Sequence, residues 1–276
     1  MSLINLLLVL VSAFLCLEAH ADSRCTERAK RWFVPGEISC SYRSLELPSS
    51  AITSREIKYQ LPLGTPPADG WPVVLLYQGS LFPVEFSRNT NEPFGGFYET
   101  KTIKTLLDNG YAVLAPRAPA ELAWLTNSAG PATIYQITTD YTFLNNVLAH
   151  IAAGGFGQLD ANRKYATGIS SGGYNTSRMA VSFAGEFKAL VVHSGSYATC
   201  LGPVCAVPFT LPADHPPTYF IHGFADIIVP WWSMDTYYDR LIWQGIETGR
   251  HTELLAGHEW LPQSSGLVLN WFNLHP

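Results

Sequence analysis

The sequence predicts an α/β fold with one mostly parallel central sheet and helices on both faces. Three observations carry this expectation. Short, uninterrupted apolar runs alternate along the chain with stretches whose apolar residues recur at helical spacing. Those runs lack the apolar–polar alternation of a half-exposed sheet, as expected of strands covered on both sides. The 276 residues are 47% apolar and 13% aromatic, enough to fill a substantial core.

Taken in order, the first clear strand is Trp71-Pro72-Val73-Val74-Leu75-Leu76-Tyr77. A helix near Lys101 to Asp108 ends at Asn109-Gly110, and Tyr111 to Ala115 is the second strand. Ile134 to Ala152 places Phe143, Val147, Leu148 and Ile151 at helical spacing and stops at Gly154-Gly155. A strand from Arg163 to Ile169 leads through a glycine-rich turn into a helix from Asn175 to Ala184. Strands follow at Lys188 to Val192 and Thr218 to Ile221, then a helix from Met234 to Trp243, a short strand from Thr252 to Leu255 and a closing helix from Gly266 to Leu274. Such strand–helix alternation is the signature of a parallel sheet covered by crossover helices. Residues 22–54 precede the first clear strand and read either as a plain covering strand or as an extension that touches the substrate.

The first 21 residues read as an export leader. An apolar run from Leu6 to Leu17 is too short to span a bilayer, and Ala19-His20-Ala21 offers a small-x-small cleavage site before Asp22. The leader lacks Lys and Arg, and a lipoprotein reading on Cys16 is opposed by the bulky Phe14-Leu15 before it. The domain plan is therefore a leader at 1–21 and one catalytic domain at 22–276, secreted to the medium or the periplasm, with no membrane segment in the mature chain. Cys25, Cys40, Cys200 and Cys205 remain after cleavage, an even number suited to an oxidising compartment. Four cysteines allow three pairings, of which the local one, Cys25 with Cys40 and Cys200 with Cys205, is expected.

Charge and motif exclude several function classes. Seventeen Lys and Arg against 22 Asp and Glu give a net charge of -5, and no clustered basic run offers a footprint for nucleic acid. No HExxH, no CxxC and no P-loop occurs, and Gly155-Phe156-Gly157 follows a helix rather than the strand a dinucleotide fingerprint requires. Neither a metal nor a cofactor is expected.

The sharpest chemical signal is Gly168-Ile169-Ser170-Ser171-Gly172-Gly173, a G-x-S-x-G string between a predicted strand and a predicted helix. In an α/β-hydrolase that context makes a nucleophile elbow: a serine at the tip of a strained turn, with small neighbours that let strand and helix approach. A serine hydroxyl is a weak nucleophile and needs a base, which in turn needs an orienting acid. In this architecture acid and histidine follow the serine in that order. Asp226 lies just past the strand ending at Ile221, on a turn begun by Gly223, whereas Asp214 precedes that strand and Asp235 and Asp239 fall on the next helix. His258 lies in Ala256-Gly257-His258-Glu259-Trp260, where Gly257 is expected to let the loop fold back over the sheet. No other histidine satisfies both chain order and loop position. The oxyanion of the tetrahedral intermediate needs two backbone donors. These are assigned to the N–H of Ser171 and to that of Ser80, in the loop Gln78-Gly79-Ser80-Leu81.

With these residues in view the chain resembles the extracellular depolymerases of medium-chain-length polyhydroxyalkanoates. The resemblance covers essentially the whole chain and rests on the Ser170 elbow, the Ile221-His222-Gly223-Phe224-Ala225-Asp226 turn and the Gly257-His258-Glu259-Trp260 loop. It implies an exported, cofactor-free serine hydrolase of α/β-hydrolase fold acting on poly(3-hydroxyalkanoates) with side chains near that of 3-hydroxyoctanoate, with Ser170, Asp226 and His258 as its triad.

A solid polyester carries no charge, so an enzyme adsorbs to it by burying apolar surface, which suits a chain only 14% charged. Candidate substrate contacts are Phe82, Tyr197, Phe209, Trp231 and Trp232, with Phe94 and Trp124 as further aromatic positions near the expected site. The segment from Ala198 to Pro217 is short for a cap and predicts an open site. Competing readings are a general carboxylesterase or lipase with the same triad, a non-catalytic binding module on a hydrolase scaffold, and a prolyl peptidase suggested by the His222-Gly223-x-x-Asp226 turn.

Overall fold

A computed structural model describes residues 23–127 and 134–276; the expected leader lies outside the described residues. In chain order the elements are β1 (Cys25–Arg28), β2 (Glu37–Cys40), β3 (Arg43–Pro48), β4 (Ser54–Gln60), β5 (Trp71–Tyr77), β6 (Ser87–Asn89), α1 (Gly96–Asp108) and β7 (Ala112–Pro116). They continue with α2 (Thr139–Ala152), β8 (Leu159–Ile169), α3 (Ser171–Ser182), β9 (Ala189–His193), β10 (Thr218–Gly223), α4 (Trp231–Trp243), β11 (Thr248–Glu253) and α5 (Ser264–Leu274).

The main sheet runs β11-β10-β9-β8-β5-β7-β4-β3. Strands β7, β5, β8, β9, β10 and β11 are mutually parallel, and β4 and β3 close one edge antiparallel. This is the mostly parallel sheet expected, and β5 shows why its apolar run is continuous. Val74 and Leu76 point into the core beneath α1 and α5, while Val73, Leu75 and Tyr77 point into the opposite core beneath α2 and α3. Alternate residues thus leave by opposite faces, and both faces are dry.

Several boundaries differ from the sequence expectation, each for a physical reason. The expected helix from Ile134 starts instead at Thr139, because Thr138 caps it by accepting from the Tyr141 N–H at 3.2 Å; residues 135–137 form a separate 3-10 turn. Helix α3 begins at Ser171, so Gly172 and Gly173 are helical rather than loop. The last strand is Thr248–Glu253, not Thr252 to Leu255. Its sequence Thr-Gly-Arg-His-Thr-Glu has no apolar signal, and register with β10, Thr218 opposite Thr248 through Gly223 opposite Glu253, defines it.

Residues 23–53 contribute β1, β2 and β3. The β1–β2 hairpin joins β6 in a small antiparallel sheet, and Ile38, Cys25 and Cys40 bury into the core below α1. Cys25 and Cys40 are register partners and form one disulfide; Cys200 and Cys205 form the other, as the local pairing predicted.

Candidate active site

The loops after β5, β8, β10 and β11 all leave the same C-terminal edge of the sheet, the position at which open α/β sheets hold ligands. Ser170 caps β8 near the middle of that edge. Its backbone is strained, at φ 58° and ψ -122°, where side chains are disfavoured. The glycines around it explain how the turn closes. A Cβ on Gly172 would stand 2.1 Å from the Tyr77 carbonyl oxygen and 2.5 Å from that of Gln78, so α3 can lie against the end of β5 only without one.

Asp226 is almost fully buried just past β10, and both its oxygens are engaged. Oδ1 accepts from the N–H groups of Ile228 at 2.9 Å and Val229 at 2.8 Å. Oδ2 lies 2.7 Å from His258 Nδ1 and 3.4 Å from His222 Nε2. Burial works to raise its pKa, yet the adjacent His222 and His258 imidazoles and the Val229 N–H outweigh it and hold the carboxyl well below the usual carboxylate range. His222 precedes the acid in the chain, which is the wrong order for the base. Its role in the structure is support: Nε2 donates to the Val229 carbonyl at 2.8 Å and so steadies the turn that presents Asp226.

The His258 loop reaches Asp226 because Gly223 has no side chain. A Cβ there would lie 2.3 Å from the carbonyl oxygens of both Ala256 and Gly257. Gly257, which the sequence suggested as the permissive residue, has open space around its Cβ position and no positive φ. The decisive glycine is on the acid's turn, not on the histidine's. Phe94 then stands edge-on to the imidazole, 6.1 Å between ring centroids, and packs against Phe82 at 4.7 Å.

Ser170, His258 and Ser80 border one cavity of about 260 Å³, walled by Leu81, Phe82, Phe94 and Ile228. Ser170 and His258 therefore face the same cavity. Ser80 is carried by a loop that is pinned from below. The buried Gln78 amide accepts from the Ala118 N–H at 3.0 Å and donates to the Glu121 carbonyl at 3.0 Å, and the Leu81 N–H donates to the Leu122 carbonyl at 2.7 Å. Ser171 is the first residue of α3, at the helix end whose N–H groups attract anions.

The aromatic expectations divide. Phe82 and Phe94 wall the cavity. Trp124 does not reach the surface: it is fully buried, its Nε1 donates to the Gln78 carbonyl at 3.2 Å and its N–H donates to Ser171 Oγ at 2.9 Å, which ties the Ser80 loop to the elbow. Tyr197 is core, 5.2 Å from the Tyr237 ring. Phe209 lies elsewhere, beside Trp243 and under the Arg240 guanidinium at 4.4 Å. Trp231 opens α4 and turns toward β11, donating to Thr252 Oγ1 at 3.0 Å, and its exposed neighbour Trp232 borders neither cavity next to Ser170. These rings belong to elements that pack for their own sake, a distinction that type and position along the chain do not carry. Ile228, Tyr174 and Leu201 do line space next to Ser170, and nothing in their local sequence marks them for it.

A parallel sheet with a strained serine after its central strand, and an Asp–His pair on the following loops, defines an α/β-hydrolase. The solved structures agree on the fold. The acylaminoacyl peptidase of Pyrococcus horikoshii matches with a TM-score of 0.60 at 15% identity, over 85% of this chain and 41% of that one. The S-formylglutathione hydrolase of Staphylococcus aureus matches with a TM-score of 0.57 at 15% identity, over 84% of this chain and 96% of that one. No protein-family model matches the chain. The chain belongs to the poly(3-hydroxyoctanoate) depolymerase family: it is 64% identical over 264 residues to the poly(3-hydroxyoctanoate) depolymerase of Pseudomonas fluorescens, a match that spans 95% of each chain.

Proposed function

We propose that this protein is an exported serine hydrolase that cleaves the ester bonds of medium-chain poly(3-hydroxyalkanoates), such as poly(3-hydroxyoctanoate), through an acyl-enzyme on Ser170. The observation that carries the proposal is the apolar cavity shared by Ser170, His258 and Ser80, in a chain 64% identical to a depolymerase of that polyester. Asp226 holds His258 with Nδ1 protonated, which leaves Nε2 as the acceptor. Nε2 takes the Ser170 proton as Oγ attacks the carbonyl carbon, and the N–H groups of Ser80 and Ser171 receive the oxyanion.

Exposed apolar side chains at the same edge suit an uncharged solid. Ile227 is 92% exposed beside Asp226, and Leu255 is 94% exposed on the His258 loop. Removal of a leader at residues 1–21 leaves 22–276 as the catalytic domain, and the two disulfides suit an oxidising compartment.

Purified protein spread on films of poly(3-hydroxyoctanoate) and poly(3-hydroxybutyrate) tests the reading. Clearing of the first film and not the second is expected. Hydrolysis of soluble octanoate esters with no clearing of either film would make the protein a general carboxylesterase instead.

A further inference from the structure

Ser170 stands on a divide between two cavities. The one described above, about 260 Å³, holds His258, Phe82 and Phe94. A second, about 310 Å³, lies on the other side of the serine against Tyr174, Leu201, Gly202 and Val229. Ser80, Ser170 and Ile228 border both, so each opens onto the nucleophile and onto the Ser80 backbone.

The chemistry of ester cleavage assigns the two sides. When Oγ bonds to the carbonyl carbon, its proton passes to the imidazole; when the bond from that carbon to the ester oxygen breaks, the departing alkoxide takes the same proton from the imidazolium. The alcohol half must therefore lie within reach of the imidazole. The acyl half stays bonded to Oγ and extends the other way. Water then repeats the sequence, giving its proton to the imidazole as its oxygen bonds to the acyl carbon and Oγ leaves with that proton.

Resting on the hydrolase reading above, we propose that the second cavity receives the acyl unit of the bond being cut, with its pendant alkyl chain, and that the cavity at His258 receives the unit that leaves as the alcohol. The tip of the Cys200–Cys205 hairpin then sets the acyl length accepted. The hairpin is built to hold a fixed wall. The disulfide closes its base, Leu201 and Val204 exchange hydrogen bonds at 2.7 and 2.9 Å, and the Gly202 N–H donates to Tyr174 Oη at 3.0 Å. Tyr174 sits one turn into α3, its N–H donating to the Ser170 carbonyl at 3.0 Å, so the nucleophile and the wall hang from the same helix. Tyr174 has two parts to play: its ring lines the cavity, and its hydroxyl positions the hairpin tip.

Two series of soluble esters separate the halves: p-nitrophenyl esters from acetyl to decanoyl, and butanoate esters of alcohols from ethyl to octyl followed by acid release. Leu201→Trp, at a half-exposed position where a larger ring does not disturb the core, is expected to lower the octanoyl-to-acetyl ratio of kcat/KM by about tenfold or more, with the octyl-to-ethyl ratio held within about twofold. Leu201→Ala moves the acyl optimum to longer chains. Phe82→Trp does the converse of Leu201→Trp, reducing the octyl-to-ethyl ratio and sparing the acyl ratio. Tyr174→Phe, which keeps the ring and deletes the acceptor for Gly202, flattens the acyl-length profile and leaves the alcohol profile alone. A Leu201→Trp variant that changes the alcohol series, or both series equally, overturns the assignment. Wild-type protein that cleaves neither series overturns the hydrolase reading itself.

Discussion

His258 Nδ1 and Asp226 Oδ2 are 2.7 Å apart, and the opposite oxygen of the same carboxylate is held by two backbone N–H groups. The carboxylate is therefore fixed from behind, as its proposed role of orienting the His258 base requires. A carboxylate on a flexible loop would track the imidazole instead of steering it. Here the turn from Gly223 to Val229, steadied by His222, removes that freedom.

Asp226→Asn leaves this turn in place but lets the amide face the imidazole with the wrong hydrogen-bonding partner. Hydrolysis of a soluble octanoate ester is expected to fall about 10⁴-fold, with the circular dichroism spectrum unchanged. The wild-type carboxyl is held below its ordinary value of 3.8, so the folded state binds fewer protons than the unfolded state in acid. Its contribution to stability is present in full above that value and is lost as pH falls below it. Urea midpoints measured from pH 6 down to pH 2 should therefore converge for wild type and Asp226→Asn; a gap that stays constant with pH contradicts the assignment.

Glu99 on α1 is buried, and burial pushes its carboxyl up to about 8 against the pull of Arg88. The folded state keeps the proton between about 4.5 and 8 where the unfolded state has released it, so stability declines as pH rises through that interval. Glu99→Gln should flatten this decline and raise Tm at pH 9 relative to wild type while matching it near pH 4. Thermal melts across the interval measure the difference.

Gly223→Ala places a methyl group against two carbonyl oxygens of the His258 loop. The loop has to retreat from Asp226, at a cost of about 1–3 kcal/mol in stability. Activity should fall by more than the stability change explains, since the Asp226–His258 hydrogen bond lengthens. Gly257→Ala, with open space around it, should leave both nearly unchanged. Equal effects from the two substitutions would refute the close-approach argument.

The two disulfides close loops of different length, with sequence separations of 15 and 5. Loop-closure entropy makes removal of the Cys25–Cys40 bridge the costlier change, about 3 kcal/mol against about 2 for Cys200–Cys205. Urea unfolding of the paired Cys→Ser variants tests the order. The second pair should instead show its effect in the acyl-length profile.

The amino-acid sequence by itself determined the α/β class and most of the element order, and it favoured the local disulfide pairing that the structure then decided. It also singled out Ser170, Asp226 and His258. Each leaves a mark within a few residues: an apolar run buried on both faces, a serine among glycines, an acid and a histidine just past strand ends. What has no local mark was decided by tertiary structure. Strand β11 exists because β10 offers it hydrogen bonds, although its residues are polar. Trp124 and Tyr197 are core and Phe82 is cavity wall because neighbouring elements cover some rings and leave others open. The glycine that admits the His258 loop lies more than thirty residues away from it, on the turn it approaches. Close approach between distant segments is a property of how the chain packs, and a residue's own neighbours in sequence do not encode it.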